Sequence, residues 1–378
     1  MNTDTESPCK DKLPDEFSEE FLGESPCEPL VLGGVASWKG ADLKNSNEWT
    51  HHWSEEMLAA LDSALSVAQG HGLVWYELNR RNFCLASIED ELKIIADQLE
   101  NGRGIIRLRG LPIELYNRDQ LKMIYYGLGN WIGTPVFQNA RGELLGEICD
   151  EGPDVGLKRG QLISENGDSF YSARSRAQST QPLRWHTDRT DVVGLLCLGQ
   201  PASGGESRLV SSVAVQDEMI RRHPDLAALL YEELERSHLG EELGGENLTY
   251  SIPVWGVQNG KFASHYSRTY VEAAQLIPGI KKLSEKKWQA LDMLAQISDE
   301  LCLEMSLIPG DIQLINNHII YHSRNSFRDD PTSDKRRLLY RLWLSMPNSR
   351  QLPKGYEVLF SSTEAGALRG GIRQGDCR

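Results

Sequence analysis

Short strand-like segments dominate the chain from His186 onward and limit its fold more than any other feature. They are rich in β-branched and aromatic residues, and they read VVGLLCL, SRLVSS, IPVW, GKFASHYS, GDIQLIN and RLLYRLWLS. Helical insertions are expected among them at about 213–236 and 284–305. Strands with connections this long and irregular are typical of an antiparallel jelly roll (double-stranded β-helix) rather than of βαβ repeats. We therefore predict an α+β fold with a mainly β core and with flanking and inserted helices.

Amphipathic helices precede this β-rich region. The first is expected to begin after Ser54 as its N-cap, to carry apolar residues on one face and to stop at Gly70. Residues 87–102 repeat this scheme. A third helix follows the short strand GIIRLRGLP and continues through Leu128. We expect these helices to pack on the outside of the sheet as supports.

The two ends of the chain differ from its middle in composition. Residues 1–30 are rich in Asp, Glu, Ser and Pro, which predicts a disordered acidic tail. Residues 31–350 are predicted to form a single domain with a jelly-roll core and helical support. Residues 351–378, which include GALRGGIRQGDCR, are predicted to be a partly flexible C-terminal extension.

Charge and cysteine content narrow the possible partners and location. With 40 Lys and Arg against 54 Asp and Glu, the net charge is −14, which argues against nucleic-acid and anionic-membrane partners. The seven cysteines form no CxxC pair, so neither a zinc ribbon nor a disulfide framework is indicated. No stretch approaches the roughly 18 apolar residues that a membrane span needs. We expect a soluble cytoplasmic protein that acts on a small molecule and that could form a homo-oligomer.

A histidine and an aspartate stand two residues apart in RWHTD, directly before the apolar run VVGLLCL. On an extended strand His186 and Asp188 would face the same side, because strand side chains alternate with period two. Such a pair can ligate one metal ion, or it can form a surface ion pair. A facial Fe(II) site would need one more imidazole beside these two ligands.

His322 is the most distinctive candidate for the second imidazole. It lies in PGDIQLINNHIIYHSRNSF, where a Pro-Gly turn starts a strand and a polar NNH follows. His318 and His322 are four residues apart, as in a helical zinc pair, but the preceding Pro309-Gly310 argues against a helix. His265, in FASHYS, could also be carried by a strand.

Two arginines follow on the last strand-like segment. Arg337 and Arg341 are four residues apart in RRLLYRLWL, so on a strand they point to one face. Buried guanidinium groups on an apolar strand need anionic partners. A dicarboxylate bound between an arginine and a metal would meet that need, and arginine is well suited to grip a planar carboxylate.

The order of these motifs resembles the taurine-dioxygenase-like (TauD/TfdA) family of Fe(II)- and 2-oxoglutarate-dependent oxygenases. The resemblance covers roughly residues 100 to 346. It implies that His186, Asp188 and His322 ligate iron and that Arg337 binds the distal carboxylate of 2-oxoglutarate. The family turn GG(D/E)(T/S) reads GGES here, which implies that Ser207 contacts the same carboxylate.

The resemblance also implies the reaction. Fe(II), 2-oxoglutarate and O2 would oxidise a substrate with release of succinate and CO2. Hydroxylation is the expected outcome, and desaturation or cyclisation stays open. Asp188 disfavours halogenation, since halogenating relatives carry a small residue there. We expect a small polar metabolite, with amino-acid-derived compounds of secondary metabolism as the first class to consider.

Several residues are candidates for the substrate side. Arg341 matches a second family arginine, which could hold an anionic substrate group, brace 2-oxoglutarate or pair with an internal acid. Gln138 and Asn139 lie in a polar, Gly-punctuated stretch and could reach the substrate from a loop, although a turn-forming role fits Asn139 equally well. Arg184 could face the metal pocket or pair with Asp191.

A different class of enzyme would also fit part of this pattern. A non-oxidative metal-dependent isomerase or hydrolase on a cupin-like scaffold could use the same histidines and aspartate. It would act without O2, and it would leave Ser207 and Arg337 unexplained. A catalytically silent metal-binding or regulatory protein is the third hypothesis, and it predicts a damaged triad or a missing anchor.

Overall fold

A computed structural model describes residues 30–163, 169–239, 249–330, 332–333 and 335–372. The predicted disordered tail therefore lies outside the described residues, apart from Leu30. Within these ranges the α-helices are α1 (Gly40–Leu43), α2 (Glu55–Gly70), α3 (Glu89–Asn101), α4 (Arg118–Ile132), α5 (Val155–Arg159), α6 (Ala173–Ala177), α7 (Ser212–Arg222), α8 (Pro224–Leu229), α9 (Arg268–Gln275), α10 (Glu285–Leu301) and α11 (Glu357–Phe360).

The strands alternate with these helices along the chain. They are β1 (Thr50–His52), β2 (Ile105–Arg109), β3 (Thr134–Pro135), β4 (Leu145–Ile148), β5 (Gln161–Ile163), β6 (Ser169–Tyr171), β7 (Leu183–His186), β8 (Val192–Gly199), β9 (Ser203–Gly204), β10 (Ser207–Ser211), β11 (Glu233–Ser237), β12 (Thr249–Pro253), β13 (Trp255–Gln258), β14 (Lys261–Ser264), β15 (Leu303–Met305), β16 (Ile312–Asn316), β17 (Ile320–Arg324), β18 (Phe327–Arg328) and β19 (Leu338–Ser345).

Two sheets organise the fold. The major sheet has seven strands in the order β1-β2-β16-β8-β19-β3, and β4 also pairs with β19. The minor sheet has four strands in the order β15-β10-β17-β7. Their strand pairs are antiparallel except for the β1–β2 pair. The fold is therefore a mixed α/β structure around two largely antiparallel sheets.

The predicted N-terminal helices are present in the structure, and they pack against the major sheet. Ser54 caps α2 by accepting a hydrogen bond from the backbone N–H of Met57 at 3.1 Å, and the helix ends at Gly70 as expected. Apolar residues of α2, α3 and α4 share one hydrophobic cluster with the outer faces of β2, β8, β16 and β19. The helices thus pack against the outer face of the major sheet.

The middle strand of the major sheet shows how the two faces are divided. Along β8, Val192 and Leu196 contact the cluster beneath the N-terminal helices. Val193 and Cys197 point to the opposite face, into the cluster that includes the minor sheet and helices α7, α8 and α10. This alternation follows from the period of two along a strand. It leaves the space between the two sheets as the place where inward-facing polar side chains can meet.

The region after the last strand packs against the core. Arg369 is fully buried, and its Nε lies 2.8 Å from Oδ1 of the buried Asp191. Gly370 and Gly371 have positive φ angles, and a Cβ on Gly371 would lie 2.9 Å from the carbonyl oxygen of Phe137. The described part of the extension is thus fitted closely to the domain. The boundary near residue 350 stays a prediction.

None of the helices in the described ranges is both long enough and apolar enough to cross a lipid bilayer.

Candidate metal centre and its cavities

A cavity lies between the two main sheets and collects most of the residues that the sequence singled out. Its walls come from β8, β16 and β19 of the major sheet and from β7, β10 and β17 of the minor sheet. This inter-sheet cavity holds about 500 Å³ of space, a volume that includes its opening to solvent. The predicted site residues that line it are His186, Asp188, Ser207, His322, Arg337 and Arg341.

Two imidazoles and a carboxylate meet in this cavity. Strands β7 and β17 are antiparallel neighbours, and their register places His186 opposite His322 with the ring centroids 4.0 Å apart. Nε2 of His186 and Nε2 of His322 lie 3.8 and 3.9 Å from the carboxylate oxygens of Asp188. The three ligand atoms fall within 4.8 Å of one another. Two imidazoles with one carboxylate could hold Fe(II) in a facial triad.

The histidines are prepared to act as neutral ligands. Nδ1 of His186 lies 2.9 Å from the carbonyl oxygen of Arg184, so it donates there and leaves Nε2 with a lone pair toward the site. Burial lowers the pKa of His186 and lowers that of His322 to about 3. Both imidazoles are therefore neutral near pH 7, which is the form that binds a metal.

Asp188 lies just beyond the end of β7 rather than on the strand itself, and three contacts fix it. The indole Nε1 of Trp343 donates to its Oδ2 at 3.0 Å, and Nη1 of Arg341 lies 3.6 Å from the same oxygen. Its backbone N–H donates to the side-chain oxygen of Asn317 at 3.2 Å. Burial alone would raise the pKa of Asp188, but Arg341, the two imidazoles and the Trp343 donor outweigh burial and lower it.

Among the residues that the structure describes, Arg337 is a buried cation without an ion-pair partner. It is 6% exposed, lies just before β19 and forms no ion pair with any residue that the structure describes. Its Nη1 has no hydrogen-bond partner in the same part of the chain. Burial lowers the pKa of Arg337 to about 10, so the group is still charged near pH 7. With Ser207 lining the same cavity, this guanidinium could hold a carboxylate.

Arg324 provides a contrast in the same cavity. Burial lowers its pKa to about 9, yet its guanidinium donates to the carbonyl oxygens of Ala177, Ser179 and Gln181. It therefore ties the segment before β7 to β17. The sequence analysis predicts no role for Arg324. Its position two residues after His322 is the sequence feature that places it on the same side of β17.

A second cavity adjoins the first at the triad. It holds about 540 Å³ of space and shares His186, Asp188 and Arg341 with the inter-sheet cavity. Trp343 and Ile372 supply apolar surface to its wall. The remaining side chains of its lining are those of Ala173, Arg174, Ala177, Thr187, Arg189, Tyr250, His265, Tyr270 and Leu359. This second cavity therefore lies directly beside the His-Asp-His cluster.

The family model described as taurine catabolism dioxygenase TauD, TfdA family matches residues 77–343. The chain belongs to the TauD/TfdA family. It is an Fe(II)- and 2-oxoglutarate-dependent dioxygenase with O2 as its oxidant, as the motifs predicted. The buried triad and the unpaired guanidinium of Arg337 are suited to that metal and that cosubstrate.

Two curated relatives of this TauD/TfdA chain align over most of their length. FR-33289 synthase from Streptomyces rubellomurinus is 29% identical over 325 residues, which cover 85% of this chain and 92% of that protein. Taurine hydroxylase-like protein SAT17 from Stachybotrys chartarum is 27% identical over 319 residues, which cover 82% of this chain and 79% of that protein.

Solved structures share the fold. An asparagine oxygenase in complex with Fe(II), 3-hydroxyasparagine and succinate superposes with a TM-score of 0.61 at 15% identity, covering 79% of this chain and 94% of that one. The non-heme iron oxygenase OrfP, with Fe, succinate and a dihydroxy-L-Arg, gives a TM-score of 0.55 at 14% identity, covering 84% and 99%.

The predicted substrate-side residues of this TauD/TfdA domain occupy different positions in the structure. Oε1 of the buried Gln138 accepts a hydrogen bond from Nε of Arg341 at 2.6 Å, so Gln138 lies behind that arginine. The side-chain oxygen of Asn139 accepts from the backbone N–H groups of Arg141 and Glu143 at 3.0 and 3.2 Å. Asn139 thus has the turn-forming role, which fits the sequence as well as substrate contact does.

Arg184 lies outside both cavities. It forms a bidentate ion pair with Glu272, with N–O distances of 2.6 and 3.0 Å, and it lines a separate surface groove. Asp191, its expected alternative partner, instead lies 2.8 Å from both Nε2 of His318 and Nε of Arg369. The structure therefore does not bring Arg184 together with the metal ligands.

Proposed function

We propose that this dioxygenase hydroxylates a small polar metabolite, with conversion of 2-oxoglutarate to succinate and CO2. The observation that carries the proposal is the unpaired, buried guanidinium of Arg337 in the same cavity as the His-Asp-His cluster. A buried cation is costly unless an anion joins it. A dicarboxylate that reaches from the metal to Arg337 would be that anion.

We assign the iron ligands to His186, Asp188 and His322. Their neutral imidazoles and ionised carboxylate present the donor set of a 2-His-1-carboxylate site, which leaves positions open for cosubstrate and O2. The Trp343 indole and the Arg184 carbonyl would hold two of these ligands in orientation, a role that usually affects metal affinity tenfold or more.

We assign Arg337 and Ser207 to the distal carboxylate of 2-oxoglutarate. When bound, Fe(II) and 2-oxoglutarate supply the oxidising chemistry: O2 provides one oxygen atom to the substrate C–H bond and one to succinate. The protein binds the cosubstrate, excludes water from the inter-sheet cavity and fixes the substrate against the metal. In architecture, we propose that the two main sheets are the two halves of a double-stranded β-helix.

The substrate is assigned to the second cavity. Arg341 borders both cavities. Its guanidinium would suit a substrate with an anionic group, as in an amino acid or an amino-acid-derived metabolite. Relatives of similar fold are described as oxygenases of asparagine and in complex with hydroxylated arginine, which supports that class.

The alternative reactions and the cellular setting of this enzyme rest on separate considerations. A substrate held so that oxygen transfer is slow would be desaturated or cyclised instead. An isomerase or hydrolase would have no use for the Arg337 anchor. A cytoplasmic location, a homo-oligomeric state and a place in secondary metabolism stay predictions.

The direct test is succinate formation by the purified protein with Fe(II), 2-oxoglutarate and O2. A panel of L-amino acids and of small carboxylates, sulfonates and phosphonates provides the candidate substrates. We expect one class to accelerate succinate release and to yield a product that has gained one oxygen atom. The Asp188→Ala variant is the matched control and should be inactive. Substrate turnover that continues without O2 would contradict the proposal.

A further inference from the structure

His265 carries a buried nitrogen that the assigned chemistry does not use. The residue directly follows β14, is 3% exposed and lines the second cavity together with His186, Asp188 and Arg341. Its Nε2 has no hydrogen-bond partner among the residues that the structure describes. Buried polar groups normally have a partner, so this nitrogen calls for a specific explanation.

The imidazole is held in a fixed position relative to the metal ligands. Nδ1 of His265 lies 3.0 Å from Oγ1 of Thr187, the residue between the ligands His186 and Asp188. Thr187 is itself fixed, since its N–H donates to the carbonyl oxygen of Tyr266 at 2.8 Å and its Oγ1 accepts from the Tyr266 N–H at 3.1 Å. The imidazole of His265 is therefore held in a fixed position at the wall of the second cavity.

The hydrogen bonds also indicate which nitrogen carries the proton. The Thr187 hydroxyl accepts from Tyr266, so its own hydrogen is available to Nδ1 of His265, which is closer than the Tyr266 carbonyl oxygen at 3.4 Å. Burial, reinforced by Arg236 and Arg189, lowers the pKa of His265 well below its ordinary value. The ring is thus neutral, and the shorter of the two contacts of the Thr187 hydroxyl favours the tautomer with Nδ1 as acceptor and Nε2–H as donor.

We infer that His265 is a substrate-binding residue whose Nε2–H donates a hydrogen bond to an oxygen atom of the primary substrate in the second cavity. The inference rests on the proposed function, because it needs a substrate beside the triad. The ligand chemistry is that of an acceptor oxygen on a small acid: a carboxylate, a sulfonate or a phosphonate. Arg341 lines the same cavity and would favour the same kind of group.

A structural role for His265 makes a different prediction. If the ring served only to hold Thr187 and to pack against Phe360, with ring centroids 6.1 Å apart, Nε2 would contribute nothing to substrate binding. Two substitutions separate these roles. His265→Asn keeps an amide at the position of Nδ1 and removes the Nε2 donor, whereas His265→Gln reaches to the position of Nε2.

The experiment measures kcat/KM by succinate release in the wild type and both variants, with the panel of L-amino acids, carboxylates, sulfonates and phosphonates. Anaerobic titration with Fe(II) and 2-oxoglutarate, followed by the charge-transfer band of the chelated keto acid, is run on each. We expect His265→Asn to lower kcat/KM for the substrate about 10- to 100-fold, with the band and the KM for 2-oxoglutarate unchanged. His265→Gln should recover part of the loss, and the exposed His71→Asn is the matched control.

Three results would overturn the inference. The first is a His265→Asn variant that turns over substrate like the wild type. The second is a His265→Asn variant that loses the charge-transfer band together with its activity, which would show that His265 has a structural role. The third is a wild-type protein that forms the band but is silent with every acid, which would contradict the substrate class while the cofactor assignment stands. Absence of the band from the wild type would instead remove the proposed function on which the inference rests.

Discussion

Arg337→Met should weaken 2-oxoglutarate binding and at the same time stabilise the protein that has no cosubstrate bound. The two effects have one cause: the guanidinium is buried and forms no ion pair among the described residues. Methionine keeps much of the side-chain length and removes the charge. A ligand-binding residue is expected to behave in this way: its buried charge destabilises the protein without cosubstrate and favours the binding of the cosubstrate.

The magnitude follows from the burial of the charge. Burial lowers the pKa of Arg337 from the ordinary value of an arginine to about 10. Since each tenfold change in an equilibrium constant corresponds to about 1.4 kcal/mol, holding this group charged at pH 7 costs the fold about 3 kcal/mol. Replacement of a buried charge by an apolar residue is often stabilising by about 1–4 kcal/mol. We expect a gain of about 1–3 kcal/mol in the free energy of unfolding without cosubstrate.

The loss in binding should be of similar size. Removing one partner of a buried, hydrogen-bonded charge pair typically costs about 2–5 kcal/mol. A loss of about 3 kcal/mol is more than a hundredfold in affinity. Affinity for Fe(II) should be nearly unchanged, because Arg337 is not among the three clustered ligands.

Arg324→Met is the matched control. Arg324 is also a buried arginine of the inter-sheet cavity, but its guanidinium donates to backbone carbonyl oxygens, including that of Ser179 at 2.8 Å. Its removal takes a donor from the buried carbonyl group of Ser179, at about 1–3 kcal/mol, and from the partly buried carbonyl groups of Ala177 and Gln181, so this variant should be destabilised. The two arginine variants should therefore shift stability in opposite directions.

The assay combines urea unfolding of the metal-free protein with anaerobic 2-oxoglutarate titration of the Fe(II) protein. The expected pair of results for Arg337→Met is a higher urea midpoint and a much weaker titration. If the variant unfolds at lower urea than the wild type and binds 2-oxoglutarate normally, the reasoning about this anchor is refuted.

Three further perturbations test other parts of the site. Trp343→Phe removes the 3.0 Å hydrogen bond to Asp188 and should weaken Fe(II) binding about tenfold in a metal titration; unchanged affinity would mean that the indole does not position the ligand. Asp191→Asn breaks a buried pair with Arg369 and should cost about 3–5 kcal/mol in urea unfolding at pH 7. Burial would raise the pKa of Asp191, but its hydrogen-bonded partners outweigh burial and lower that pKa below 3.8. The stability that the Asp191 carboxylate contributes is therefore complete above about pH 4 and is lost as the pH falls. A stability difference between the variant and the wild type that stayed constant down to about pH 2 would contradict this pH dependence. Ile372→Trp should fill the second cavity and suppress substrate-stimulated succinate release while the 2-oxoglutarate charge-transfer band persists, and loss of both together would misplace the cavity.

The parts of the site that sequence could predict are those set by local spacing. His186 and Asp188 are two residues apart, and His322 follows a strand whose Pro-Gly start is visible in the sequence. The four-residue spacing of Arg337 and Arg341 likewise brings both to the inter-sheet cavity. Such spacing brings these residues to one cavity, although Asp188 lies just beyond β7 and Arg337 lies just before β19.

The parts that sequence could not predict depend on contacts between distant segments. His265 reaches the second cavity because β14 and the loop after it pack beside Thr187, 78 residues earlier in the chain. The ion pair between Arg184 and Glu272 spans 88 residues, and it removes that arginine from the site. Neither partner carries a local pattern that identifies the other.

The C-terminal extension illustrates the same limit. Its glycines suggested flexibility, but in the described part Gly370 and Gly371 take positive φ angles that let the chain pass close to Arg189 and Phe137. Sequence shows that glycine is present, whereas only the fold shows whether a close approach requires it.

The most direct test of the central claim is an anaerobic titration of the purified protein with Fe(II) and then 2-oxoglutarate. The account predicts a visible metal-to-ligand charge-transfer band that appears only when both are present, and that is absent from the Asp188→Ala variant. No band in the wild type, together with tightly bound zinc on metal analysis, would contradict the assignment of this site to iron and 2-oxoglutarate.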